Sequence, residues 1–99
     1  MSLPPVARAV LSIRIPMARS LKDKRSVIQS LIGQVRSRYA VAIAETDNQD
    51  NHNLAEIGLA VVSGQEFMAR QIMDEVLRFA ESLLERHGAL VTDLQVEIV

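Results

Sequence analysis

From Val6 to Ile15 the chain alternates. Ala7, Ala9, Leu11, Ile13 and Ile15 fall on one side, and Val6, Arg8, Val10, Ser12 and Arg14 on the other. That period of two predicts a half-buried strand, which Pro16 stops. The period then lengthens. Leu21, Ile28, Leu31, Ile32 and Val35 form a stripe at helical spacing, predicting a helix from a Ser20 N-cap to about Arg38. Asp23, three residues after Ser20, supplies a capping-box partner. Gly33 lies inside this helix at a cost of roughly 1 kcal/mol relative to alanine.

Alternation returns over Ala40–Asp47, with Val41 and Ile43 on one face and Ala40, Ala42 and Ala44 on the other. Residues 48–53 are Asn, Gln, Asp and His, suited to a hairpin loop. A third strand, Leu54–Val62, turns Ala55, Ile57, Leu59 and Val61 inward. Ser63 and Glu66 read as a second capping box, opening a helix that carries Phe67, Met68, Ile72, Val76, Phe79, Ala80 and Leu83 on one side. This helix should end near His87, with Gly88 as its left-handed terminator. The last strand, Ala89–Val99, sets Leu94, Val96 and Ile98 against Asp93, Gln95 and Glu97.

The order is β-α-β-β-α-β, and two helices cannot cover both faces of a four-stranded sheet and share one core. The expected architecture is therefore α+β, a ferredoxin-like sandwich with both helices on one face and an antiparallel sheet in the order 4-1-3-2. The 99 residues suffice for one domain spanning 1–99, and 48% of them are apolar, against disorder.

Composition narrows the chemistry. Cysteine is absent, which removes thiolate metal sites, iron–sulfur clusters and cysteine nucleophiles and fits a reducing, cytoplasmic setting. Arg8 and Arg14 interrupt the first apolar stretch, so neither a signal peptide nor a membrane helix is expected there. The net charge of −1 conceals a split. Residues 1–38 hold eight basic side chains and one carboxylate; residues 39–99 hold three arginines and eleven carboxylates. Either the halves pair internally or a basic face meets a polyanion.

The best candidate for such a face is the start of the first helix. Free backbone N–H groups there favour an anion, and Arg14, Arg19, Ser20, Lys22 and Arg25 are the expected phosphate contacts. Lys24 differs. It lies four residues before Ile28 and seven before Leu31, inside the apolar stripe, so it should point at the sheet. Glu45 shares the register of Val41 and Ile43 and faces the same layer. The two are expected to meet as a partly buried structural ion pair.

The hairpin residues Asp47, Gln49, Asp50 and His52 form a partner-binding candidate at the same end. Calcium is not expected: counted from Asp47, the EF-hand pattern needs Gly where His52 stands and Glu where Gly58 stands. Two histidines make no zinc site, no catalytic triad is legible, and no glycine-rich phosphate loop is present, so neither metal, cofactor nor catalytic residue is expected. The outer sheet face lacks the aromatics on which RNA-recognition domains stack bases, and the alternative function is a homodimeric protein-interaction or small-ligand-binding module using that face.

The run Ser20-Leu21-Lys22-Asp23-Lys24-Arg25, the block Ala44-Glu45, Asp47, Gln49-Asp50, Ala55-Glu56 and Gly58, and the stretch Val61-Val62-Ser63 with Leu77-Arg78-Phe79 resemble the DUF503 family of small, YlxP-like bacterial proteins. Asn51 and His52 stand where relatives often place an apolar residue and Trp, so nothing resting on that aromatic carries over. The resemblance implies a ferredoxin-like bacterial protein without an established activity, whose genes often neighbour those of translation factors and a ribosome-binding factor. It points to RNA or the ribosome as partner.

Overall fold

The computed structural model describes residues 2–99. Six elements follow one another: β1 (Val6–Arg14), α1 (Leu21–Arg38), β2 (Ala42–Asp47), β3 (Leu54–Val62), α2 (Glu66–Arg86) and β4 (Leu90–Ile98). All strand pairs are antiparallel, in the order β2-β3-β1-β4. This is the expected sheet, with β1 and β3 central and β2 and β4 at the edges.

Alternation in β1 and β3 decides which face carries the helices. Ala7, Leu11, Ile13, Ala55, Ile57 and Val61 are buried to 2% exposure or less and join Leu31, Val35, Met73, Val76 and Leu83 in one cluster. The opposite face, with Arg8, Val10, Ser12 and Arg14 beside Ala60, Gly58, Glu56 and Leu54, has no covering layer among the described residues. α1 packs on β2 and α2 on β1, β3 and β4, and the helices touch each other.

Two bulges adjust the edges. Thr46 is the extra residue in β2, where pairing steps from Glu45↔Ile57 to Asp47↔Glu56. Its side chain lies over Gly58: a Cβ there would come within 2.7 Å of Thr46 Cγ2. In β4, Thr92 is extra, and Leu90 comes to face Arg14 across the strands.

α1 begins as its sequence indicates, but α2 does not. Its N-cap is Gln65, with no side-chain capping bond, and Ser63 is not part of a capping box. The Ser63 N–H donates to Pro5 O, so Ser63 is still held beside the start of β1 and cannot turn into the helix. The buried face of α2 also differs from the expected stripe. Ala69, Met73, Val76, Leu77, Ala80, Leu83 and Leu84 are buried, while Phe67 is 63% exposed. A small side chain such as Ala69 lets the helix sit close to the sheet, where Phe67 would hold it off. The far end closes as expected. Gly88 has φ +72°, its N–H donates to Glu85 O, and the Ala89 N–H donates to Leu84 O, completing a Schellman cap.

Candidate functional site

β1 ends, α1 begins and the β2–β3 hairpin turns at one end of the molecule. Ser20 is the α1 N-cap in extended conformation, and its Oγ accepts from the Asp23 N–H at 3.1 Å. The Asp23 carboxylate reaches one residue further back than a capping box requires, accepting from the Arg19 N–H at 2.9 Å. A carboxylate therefore already stands at the positive end of α1, and the Ser20 oxygen is committed to the cap. An anion arriving here meets the basic side chains rather than an open helix end.

Those side chains are free. Arg14, Arg19, Lys22 and Arg25 are all exposed. Among the described residues none of their cationic groups makes a hydrogen bond or an ion pair with the protein. Arg8 differs: it pairs with Glu97 at 3.0 Å on the outer sheet face, both side chains more than half exposed. Arg14 sits in a row across three strands, between Leu54 and Leu90, which are 39% and 55% exposed.

Lys24 points inward from the same helix turn and is 1% exposed. Its Nζ lies 2.8 Å from Glu45 Oε2, so the two residues placed on facing registers meet. The ammonium also donates to three backbone carbonyls, Asn48 O at 2.5 Å, Asn51 O at 2.7 Å and Leu54 O at 2.7 Å. An ammonium has three protons, and the carbonyls take them all. Glu45 Oε2 is left as a buried oxygen without a hydrogen bond of its own, a counter-charge at contact distance. Backbone carbonyls of the hairpin and of the start of β3 thus surround a cation, the chain's own lysine. No group of metal-ligating side chains occurs among the described residues.

The hairpin is shaped for this. Asn48 adopts φ +65°, a left-handed conformation that asparagine tolerates, and its carbonyl turns toward Lys24. Asn51 Oδ1 accepts from the Asn53 and Leu54 N–H groups. Asn53 Nδ2 donates to Ile15 O and Ala18 O, each at 2.9 Å, and the Ile15 N–H donates back to Asn53 O. Lys24 ties the hairpin to the start of α1, and Asn53 ties it to the β1–α1 connection. The expectation from sequence covered Lys24 and Glu45 but not Asn53 or the three carbonyls. Carbonyls have no residue signature; the density of asparagines in residues 48–53 was the available signal.

Of the partner-binding candidates, Asp47 Oδ1 accepts from the Asn48 N–H and Gln49 reaches Glu45 O at 3.4 Å. Asp50 and His52 are exposed and make no side-chain bond within the described residues. Among the described residues, the exposed carboxylates of the hairpin tip form no ion pair with the exposed basic side chains at the start of α1.

The sequence profile of a family described as "Protein of unknown function (DUF503)" matches residues 6–94. "Uncharacterized protein YlxP" of Bacillus subtilis (strain 168) is 32% identical over 68 residues, which are 69% of this chain and 74% of that protein. Among solved structures, a dimeric ferredoxin-like protein of unknown function from Thermobifida fusca superposes with a TM-score of 0.51 at 13% identity, over 100% of this chain and 93% of that one. A C-terminal segment of the alpha subunit of aIF2 from Pyrococcus abyssi superposes with a TM-score of 0.56 at 9% identity. That match covers 97% of this chain, which spans about half, 51%, of the archaeal segment. At such identities the likeness is one of fold. No helix among the described residues is long and apolar enough to cross a membrane.

Proposed function

Starting from the fact that the chain belongs to the DUF503 family, whose description assigns no activity, we propose that it is a non-enzymatic binding protein that docks RNA, free or within the ribosome, on its cationic end. The observation that carries this reading is the state of the cations there. Arg14, Arg19, Lys22 and Arg25 are exposed and unpaired among the described residues, while the one buried lysine of that turn is fully engaged. Unpaired surface cations on a fixed end release condensed counterions from a phosphate backbone, which is where most nucleic-acid affinity originates. Such contacts position a strand without reading its bases.

Lys24 supports the non-enzymatic half of the reading. All three of its protons are donated to carbonyls, so it offers neither a lone pair nor an accessible proton to a substrate. Ser20, with its oxygen in the cap, retains only its hydroxyl proton for a phosphate. Asp47 and Asp50 border the site and would repel an anion from the hairpin side, orienting the strand along α1.

The test is RNA affinity of the full chain and of Lys22→Ala/Arg25→Ala at low salt. Affinity should fall by roughly tenfold. Equal affinity for the two proteins contradicts the reading. A homodimer is the second use, favoured by the outer face, where Val10, Ala42, Ala44 and Ala60 present small or apolar side chains. A dimer that persists in high salt by sedimentation would support it.

A further inference from the structure

We propose that the groove between the end of α1 and the C-terminal half of α2 binds a ligand carrying both an aromatic base and a phosphate, namely a nucleotide, free or within single-stranded RNA. The chain has only three aromatic residues, and two of them meet here. Tyr39 and Phe79 stand edge to face, their ring centroids 5.8 Å apart at 62°. The Arg38 guanidinium lies over the Phe79 ring, 4.6 Å from its centroid. Arg78 and Arg86 line the same groove.

The charge of the lining is one-sided. Glu75 is its only carboxylate against three arginines, and none of these arginines forms an ion pair among the described residues. Arg86 is held only by a 3.4 Å contact to Ser82 Oγ. The other carboxylates of this half of α2, Glu81 and Glu85, do not line the groove. Phe79 and Tyr39 are partly buried, so the rings are fixed by packing, and both still line the groove.

These parts match the two halves of a nucleotide. A fixed ring with a guanidinium lying over it, 4.6 Å from its centroid, offers a cation–π platform for a base, a sequence-tolerant contact because every base has a π-face. Arg78 and Arg86 present forked donors suited to phosphate oxygens. The outer sheet face has no ring, so stacking in this chain has to occur on the helix layer. This inference deepens the RNA reading above and rests on it for the source of the ligand; its residues are separate from the cationic end.

The test is amide and aromatic-ring NMR of the full chain titrated with a short oligouridylate, with uridine monophosphate and with inorganic phosphate. Ring resonances of Tyr39 and Phe79 should move upfield with base stacking, and Phe79→Leu should weaken oligouridylate binding about tenfold. Arg78→Gln/Arg86→Gln, which leaves the rings in place, should weaken it as well. Shifts in the groove with both nucleotide probes identify a free nucleotide as sufficient, and shifts with the oligomer alone identify a strand; either supports the proposal. Shifts with phosphate alone, or none in the groove with any probe, overturn it. Oligouridylate shifts confined to Ser20–Arg25 would overturn the groove and leave the cationic end standing. Shifts confined to the groove would do the reverse, and no shifts at all would remove both.

Discussion

Lys24 Nζ and Glu45 Oε2 are in contact at 2.8 Å, yet no hydrogen bond joins them, because three backbone carbonyls have taken every proton of the ammonium. The lysine therefore acts as a resident cation of the β2–β3 hairpin, and the carboxylate balances its charge. Lys24→Met removes the cation and leaves three carbonyls and a largely buried carboxylate without a partner. Denaturant unfolding should show a loss of about 3–5 kcal/mol. Glu45→Gln leaves the three carbonyl bonds intact and should cost less, about 1–3 kcal/mol. If the two variants unfold at the same denaturant concentration, the carbonyl bonds are not the main contribution.

Thr46 and Gly58 form a second dependent pair. The bulged threonine lays its methyl group where a Gly58 side chain would go, and its hydroxyl donates to Glu56 Oε1 at 2.9 Å. Gly58→Ala should destabilise by about 1–3 kcal/mol through overpacking. Thr46→Ser removes the clashing methyl and should recover much of that loss. A double-mutant cycle with no coupling would show that the alanine is accommodated elsewhere.

The two glycines associated with helices should respond in opposite directions to alanine. Gly33 is exposed inside α1, and a methyl group added there would meet nothing within 4 Å beyond the helix's own adjoining backbone, so Gly33→Ala should stabilise by about 0.5–1 kcal/mol. Gly88 has equal space but φ +72°, and Gly88→Ala should destabilise by about 1–2 kcal/mol. Thermal unfolding of the two variants checks both signs.

Much of this architecture is legible in the chain because periodicity changes with each element. Val6–Ile15 alternates with a period of two, and Leu21–Val35 repeats at helical spacing with Lys24 in the stripe. The combination of Lys24 in the apolar stripe and Glu45 in an inward register locates their meeting point from the chain alone. What the chain conceals is set by residues distant in sequence. Ser63 resembles a cap but is held by Pro5 O, and Phe67 resembles a core residue but yields that place to Ala69. The bulges at Thr46 and Thr92 arise from partners across the sheet. The carbonyl cage around Lys24 is made of backbone, which every sequence has, and so it leaves no pattern to read.

The cationic end is tested most directly by a salt series on binding of a single-stranded RNA to the full chain. Four phosphate contacts, at Arg14, Arg19, Lys22 and Arg25, predict a logarithmic affinity that falls against logarithmic salt with a slope of about −3. Lys22→Ala/Arg25→Ala should reduce that slope by about 1.4. An affinity independent of salt, or a slope unchanged in the double variant, would contradict the assignment of this end as the RNA-docking surface.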